Sequence, residues 1–264
     1  SSTSTDTLPV PYSRLARCRS DTSAASATAR RVMPLRDRSV RTRSPSDSRN
    51  GLRLLSASGA FVSTCTDCFW HWMMDSLPKA FLAEQSGYTG AYLLPAHIPE
   101  TIGFDSMALL GVSRPRLIVH NNAEHTASNL YIPTYFSGFN AHLNAPFMRA
   151  FRSHILSRLP AESSSENRIY VARKPEAKHR RVANHPAVET ALHQHGFKTV
   201  YFEDLSLNEQ ISTAANATIM IAPHGSGMTH SLFMKDRSSI IELFPYKRQA
   251  SCDCYEKIAV IPQH

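Results

Sequence analysis

The apolar residues in the segment 68–85 recur with the period of a helix. They are spaced at steps of three and four residues, which places them on one helical face. The positions are Trp70, Met73, Met74, Leu77 and Phe81. Pro78 has no amide hydrogen and its ring clashes with the preceding turn, so we expect it to kink or divide this helix.

Short apolar runs and amphipathic stretches alternate along the next part of the chain. The pattern predicts, in order, a strand, a helix, a strand and a helix, over 91–95, 101–112, 116–120 and 143–159. Such alternation is typical of βαβ units and predicts a mainly parallel sheet.

After a hydrophilic stretch at 160–167, helix-boundary signals make the alternation clearer. Strands are predicted over 168–174, 197–203, 218–224 and 239–245. The signals between them are Asn184 and Pro186 at a helix start, Gly196 at a helix end, and Ser206 with Glu209 as a capping box. The order β-α-β-α-β-α-β predicts half of a doubly wound nucleotide-binding sheet.

Charge is distributed unevenly along the 264 residues. The formal net charge is +8, and residues 1–50, with ten Arg, no Lys and four Asp, account for +6 of it. Eleven of these fifty residues are Ser, so we predict a disordered tail or linker over residues 1–52. A nucleic-acid-binding or anionic-surface arm is the less favoured alternative, because Tyr12 is its only aromatic residue and the rest of the chain is nearly neutral.

The composition argues against two other kinds of function. No run of 18 or more apolar residues is present, so we predict no membrane-spanning segment and expect any anchor to lie outside this chain. Cys65 with Cys68 and Cys252 with Cys254 could supply four thiolates to zinc. The Cys-X-Cys spacing is awkward for one zinc ion, so we favour free or locally paired thiols and predict no metal site.

The strongest local motif is Ile-Ala-Pro-His-Gly-Ser-Gly-Met, which leads from an apolar strand into a short helix. Gly225 and Gly227 permit a tight turn that brings backbone N–H groups close to an anionic ligand, and His224 adds a donor. Open α/β sheets bind ligands at the carboxyl ends of their strands, which is where this loop lies. The alternative is a plain glycine turn.

Basic side chains are expected at the same sheet edge. Arg173 and Lys174 close one strand, and Arg180 and Arg181 follow in the next loop. The planar guanidinium group suits phosphate because it donates two hydrogen bonds. Glu242 lies inside the last strand, where we favour ribose hydroxyls as its partners and keep a buried ion pair as the alternative.

A histidine and an aspartate lie four residues apart in the first helix. The spacing puts His71 and Asp75 on one face, where the carboxylate can orient the imidazole as a general base. The alternatives are a helix-surface pair and a histidine satisfied within the core.

Three blocks, in this order and spacing, resemble glycosyltransferase family 61. They are FWHWMMDSLPKAFL (69–82), RIYVARKPEAKHRRVANHPAVETALHQHGF (168–197) and the segment from LSLNEQ to IIELFP (205–245). This family includes xylosyl- and arabinosyltransferases of plant xylan and animal enzymes that add N-acetylglucosamine to proteins. Two departures from the family pattern are Ser226, where Ala is usual, and Cys68, where Asn is common.

The resemblance implies a GT-B-like α/β fold, in which two Rossmann-like domains face each other across a cleft. It makes residues 53–160 the acceptor-side domain and residues 161–264 the nucleotide-sugar-binding domain. It also implies transfer of a sugar from a UDP-sugar donor to a hydroxyl of a glycan or glycoprotein acceptor. The transfer is expected to invert the anomeric carbon and to need no metal ion or other cofactor.

Carried over to this sequence, the family pattern assigns roles to particular residues. The expected nucleotide-sugar-binding residues are Arg173, Arg181, His224, Gly225, Ser226, Gly227 and Glu242. His71 or Asp75 is expected to be the catalytic base near the acceptor.

The chain stops soon after Tyr255, earlier than the resemblance leads us to expect, so the C-terminal part of the fold is expected to be incomplete. The alternative function is therefore a catalytically inactive nucleotide-sugar- or glycan-binding relic. The expected compartment is the Golgi or ER lumen in a eukaryote and the cytoplasm in a bacterium.

Overall fold

The structure is a computed structural model that describes residues 53–55, 59–61, 68–96, 98–120, 125–127, 130–131, 143–160, 167–177, 180–244 and 253–261. The tail predicted over residues 1–52 lies outside the described residues, as do Cys65 and Cys252.

Strands and helices alternate along the described residues. The strands are β1 Arg53–Leu55, β2 Gly59–Phe61, β3 Ala91–Pro95, β4 Leu117–His120, β5 His125–Ala127, β6 Leu130–Tyr131, β7 Asn167–Val171, β8 Phe197–Val200, β9 Ala217–Pro223 and β10 Ser239–Leu243. The α-helices are α1 Phe69–His71, α2 Leu77–Gln85, α3 Glu100–Leu109, α4 Ala145–Leu156, α5 His185–Gln194, α6 Leu207–Ala215 and α7 Cys254–Ala259. A π-helical turn spans Trp72–Ser76, and 3₁₀ helices span Arg114–Arg116, Phe202–Asp204 and Ser226–Phe233.

All the described strand pairs are parallel, which confirms the predicted α/β class. One four-stranded sheet has the order β4-β3-β2-β6, and β1 pairs separately with β5. The other four-stranded sheet has the order β10-β9-β7-β8. Both orders are Rossmann-like, whereas the predicted boundaries of two domains stay a prediction.

The second sheet has a topological switch point between β7 and β9. The chain leaves β7 for β8 on one side, then crosses to the other side of β7 to form β9 and β10. Connections on opposite sides leave a crevice at the carboxyl ends of β7 and β9. The predicted His-Gly-Ser-Gly loop follows β9, and Arg173 follows β7.

Helices cover both faces of this sheet, because successive side chains of a strand point to opposite faces. Ile169 and Val171 of β7 belong to the main hydrophobic core, which also contains side chains of α6 and of the 3₁₀ helix Ser226–Phe233. Tyr170 on the same strand packs on the other face, against Val188 and Leu192 of α5.

The middle of the segment predicted as a helix with one apolar face is buried on all sides. Every residue from 72 to 80 is buried, including Asp75, Ser76 and Lys79. The reason is packing, since α1 contacts the 3₁₀ helix Ser226–Phe233 while α2 contacts α3 and α4. The Trp72 indole N–H is satisfied there by the Ser106 hydroxyl at 3.0 Å.

The predicted division of this helix is present but lies before Pro78. The π-helical turn ends where the Leu77 amide bonds to the Trp72 carbonyl, five residues earlier. Pro78 then occupies the first turn of α2, where an amide hydrogen is not needed.

The helix-boundary signals of the second half are largely confirmed. Ser206 and Glu209 form both bonds of a capping box at the start of α6, and Gly196 follows α5 with a φ of +77°. Asn184 precedes α5, but its side chain makes no capping bond. The strand predicted to reach residue 174 ends at Val171.

We predict that Ser206→Ala lowers the free energy of unfolding by about 1 kcal/mol, because the amide of Glu209 loses its acceptor. Urea unfolding monitored by circular dichroism measures the change. Ser206→Thr keeps the hydroxyl and is the matched control, expected to stay within about 0.5 kcal/mol of the wild type. Equal losses in the two variants would contradict the capping role.

Candidate functional site

The loop after β9 turns sharply at a glycine. The His224 amide bonds to the Leu243 carbonyl at 3.0 Å, which holds the loop start beside β10. Gly225 has φ +155° and ψ −179°, a conformation that essentially only glycine adopts. Ser226 then begins the 3₁₀ helix, and the Met228 amide closes the turn on the Gly225 carbonyl at 2.9 Å.

Two arginine side chains pack against this glycine. A β-carbon on Gly225 would lie 2.5 Å from Nη2 of Arg173 and 3.1 Å from Nη1 of Arg180. Glycine is therefore required both by the backbone angles and by the space that the guanidinium groups occupy. Within the described residues, neither arginine has an ion pair or a hydrogen bond, so two uncompensated positive charges meet at the crevice between β7 and β9.

The neighbouring basic residues have other partners. Arg181 donates to the Pro175 carbonyl at 2.7 Å, and Lys174 forms an ion pair with Asp204. Arg180 is exposed and has a φ of +61°, unusual for a residue other than glycine. The sequence favoured Arg181 as a nucleotide-sugar-binding residue, but it is Arg180 that lies close to Gly225.

His224 and Glu242 form a hydrogen-bonded pair beside the loop. Nδ1 of the buried His224 donates to Oε1 of the half-buried Glu242 on β10. The sequence kept a buried ion pair as its alternative for Glu242; the observed partner is a histidine, which forms an ion pair with Glu242 only when it is protonated. Ribose binding stays a prediction. The rings of Phe244 and Tyr255 meet the imidazole edge-on at 4.9 and 5.3 Å, and burial raises the pKa of Tyr255.

His71 and Asp75 form a second pair on the helical segment 69–85. Nδ1 of His71 donates to Oδ2 of Asp75 at 2.6 Å. Asp75 is 5% exposed, so the pair is not a surface pair. Burial raises the pKa of Asp75, while the hydrogen bond and charge of His71 and the charge of Lys79 oppose that rise. With Nδ1 engaged, Nε2 of His71 is the nitrogen left for a substrate, and the side chain is 29% exposed.

The start of α1 contacts the glycine loop directly. The ring of Phe69 stacks on His230 at 5.0 Å with an interplanar angle of 15°. Sγ of Cys68 lies 3.6 Å from Oγ of Ser226. The His71–Asp75 pair is therefore on the helical segment whose first residues touch the loop that Arg173 and Arg180 approach.

The 3₁₀ helix after the loop is anchored at both ends. At its far end, Arg152 of α4 donates to the carbonyls of Leu232 and Met234 at 2.9 and 2.5 Å. Near its start, His230 donates to the Gly227 carbonyl at 3.1 Å. Nothing in the apolar run MTHSLFM marks His230 as more than a core residue, so the sequence alone did not point to it.

Metal-ligating side chains do not gather in the part of the chain that the structure describes. No group of three or more His, Cys, Asp or Glu residues there could hold a metal ion. Cys68 carries a free thiol, and two other cysteines of the zinc alternative, Cys65 and Cys252, lie outside the described residues. Among the described helices, none has both the length and the apolar character that crossing a membrane requires.

Comparison with known proteins identifies the family. The sequence model of the family Glycosyltransferase 61 matches residues 69–241, which is more than half of the chain. The chain therefore belongs to glycosyltransferase family 61, and the predicted family is confirmed.

Curated relatives are similar at lower coverage. An EGF domain-specific O-linked N-acetylglucosamine transferase of Drosophila melanogaster is 31% identical over 126 residues, covering 44% of this chain and 23% of the relative. Proteins of the same name from Canis lupus familiaris and Mus musculus are 31% and 30% identical over 38% of this chain. The match spans about a fifth of the length of these relatives.

We predict that Gly225→Ala costs about 3 kcal/mol of unfolding free energy, because it combines backbone strain with displacement of Arg173. Gly87→Ala is the matched control, since Gly87 also has a positive φ but nothing within 4 Å of the added carbon. It is expected to cost about 1 kcal/mol. Chemical denaturation of both variants tests this, and equal costs would show that the arginines do not crowd residue 225.

Proposed function

We propose that this chain is a glycosyltransferase that moves a sugar from a UDP-sugar to a hydroxyl of a glycan or protein, with inversion and without a metal ion. The observation that carries the proposal is the convergence on Gly225 of two guanidinium groups that have no ion-pair partner among the described residues, at the switch point of a parallel sheet. Such a crevice suits the diphosphate of a nucleotide-sugar.

In this proposal the diphosphate lies against Arg173, Arg180 and the backbone of the loop Gly225–Gly227. Without a metal ion, the negative charge that develops on the leaving UDP must be met by fixed positive groups and N–H dipoles. The two arginines supply that charge at the carboxyl ends of β7 and β9. Glu242 remains the candidate for ribose through the oxygen that His224 does not use.

The family and its relatives support the reaction class. The relatives are named as transferases that attach N-acetylglucosamine to proteins, and this chain matches about a fifth of their length. We extend to this chain a nucleotide-sugar donor and a glycan or protein acceptor. Two Rossmann-like domains in the GT-B arrangement are part of the same proposal, supported by the two separate four-stranded parallel sheets.

The chemical step is a direct displacement. Nε2 of His71 accepts the proton of the acceptor hydroxyl, whose oxygen attacks C1 of the sugar while the bond from C1 to the phosphate oxygen breaks and UDP leaves. Asp75 holds the imidazole in the Nδ1–H tautomer and stabilises the imidazolium that forms. Of the two residues that the sequence proposed as base, His71 is the more exposed and takes this role.

Removing a charge-stabilising donor tests the diphosphate site. We predict that Arg173→Ala weakens UDP binding by at least about tenfold and lowers turnover about 100-fold. Titration calorimetry with UDP in the presence of EDTA, and transfer assays with a panel of UDP-sugars, measure the two effects. Arg168→Ala is the matched control, because Arg168 lies on β7, the strand that Arg173 follows, but donates to the His195 carbonyl.

The outcomes separate three conclusions. Wild-type affinity in Arg173→Ala would refute the diphosphate site. UDP binding by the wild type without transfer or donor hydrolysis would favour the inactive relic instead of an enzyme. Binding that EDTA abolishes would refute the metal-free proposal.

An isosteric substitution tests the proposed base. We predict that Asp75→Asn lowers kcat by about 10²–10⁴-fold with little change in UDP affinity, because the amide no longer fixes the His71 tautomer. Steady-state kinetics on a fixed donor measure it. Asp105→Asn makes the same chemical change on α3 and is expected to keep wild-type kcat. Turnover in Asp75→Asn within a few fold of the wild type would show that another group takes the proton.

A further inference from the structure

His230 is a buried histidine at the junction of the glycine loop and α1. Its side chain is 2% exposed. Phe69 stacks on one side at 5.0 Å, and the ring of Phe202 lies 4.5 Å away at an angle of 55°. Nothing in the proposed reaction so far uses this residue.

The hydrogen bond of His230 fixes its chemical form. The acceptor is the carbonyl of Gly227, so Nδ1 must carry the hydrogen. Burial lowers the pKa of His230 to about 4, so the ring is neutral near pH 7. Nε2 is buried without a partner in the described residues. A neutral, buried imidazole cannot bind phosphate as a cation. Any effect of His230 on ligand binding must therefore act through the groups that it contacts.

The group that His230 contacts is the carbonyl of Gly227, the last glycine of the loop. Gly227 packs closely enough that an added β-carbon would lie 3.4 Å from Cγ1 of Val171 and 3.8 Å from Phe202. Two hydrogen bonds act on the turn in addition to those within the 3₁₀ helix itself: Met228 N–H to the Gly225 carbonyl, and His230 Nδ1–H to the Gly227 carbonyl. The same turn presents Gly225 to Arg173 and Arg180.

We propose that His230 is a positioning residue that holds the turn Gly225–Gly227 in the conformation that binds the diphosphate, and that ties this turn to α1 through Phe69. The inference rests on the proposed function, because the ligand of the turn is the UDP-sugar. Stacking on Phe69 places His230 between the loop of the donor and the helical segment that carries His71 and Asp75.

An isosteric pair of variants separates the hydrogen bond from the volume. The amide nitrogen of an asparagine can take the place of Nδ1, whereas leucine has nearly the same size and no donor. We expect His230→Asn to bind UDP within about twofold of the wild type, and His230→Leu to bind about tenfold more weakly. The donor KM is expected to follow the same order, with a smaller change in kcat.

A third variant separates the stacking of the aromatic ring from the hydrogen bond that it donates. His230→Phe keeps an aromatic ring for Phe69 but has no donor, so it is expected to bind UDP as weakly as the leucine variant. Thermal unfolding confirms that each variant is folded. Equal UDP affinity of the asparagine and leucine variants would overturn the proposal, as would wild-type affinity in the phenylalanine variant.

Hydrogen exchange distinguishes this proposal from the proposed function. Without nucleotide, the peptide covering residues 221–234 is expected to exchange faster in His230→Leu than in His230→Asn. If the wild type binds no UDP, the proposed function fails, and the exchange rates still decide whether His230 holds the turn. Equal rates would show that it does not.

Discussion

The close approach of Arg173 and Arg180 to the β-carbon position of Gly225 is the constraint on which the proposed donor site depends. The two nitrogens lie 2.5 and 3.1 Å from one point and so are at most about 5.6 Å apart. Two positive charges at that separation repel by about 1 kcal/mol in water and about 3 kcal/mol at an effective dielectric constant of 20. Because Arg180 is exposed, the cost is closer to the lower value. A dianion bound between the arginines would offset this repulsion by its attraction to both, so the proposed diphosphate site is arranged in advance for an anion.

The proposed catalytic pair His71–Asp75 depends on a different balance of energies. Asp75 is nearly inaccessible to water, and burying an unpaired carboxylate is costly. The hydrogen bond from His71 and the nearby charge of Lys79 offset part of that cost. The π-helical turn that contains Asp75 is the kind of irregularity often found at functional sites. A surface pair would gain little from its Coulomb attraction, whereas this buried carboxylate orients the imidazole strongly.

Local signals predicted most of the fold but only part of the site. Strand and helix positions follow from apolar periodicity, glycines and the Ser206–Glu209 capping box, all of which act within a few residues. The choice between Arg180 and Arg181 depends on a positive φ at Arg180, which the sequence of a basic loop does not reveal. The burial of residues 72–80 depends on helices distant in sequence, and so does the role of His230 beside Phe69.

His71 and His230 lie close to the contact between α1 and the glycine loop, and their different surroundings give them different protonation behaviour. His71 faces a carboxylate and keeps part of its ring accessible, so a proton gained at Nε2 is stabilised by Asp75. His230 faces a carbonyl and aromatic rings, and burial holds it neutral. Because the ring of His230 is neutral, its hydrogen bond to the Gly227 carbonyl does not depend on the protonation of His71 on the neighbouring helix α1. In the proposed function, proton transfer at His71 and phosphate binding at Gly225 thus share one packed junction, and the charge of one step does not disturb the geometry of the other.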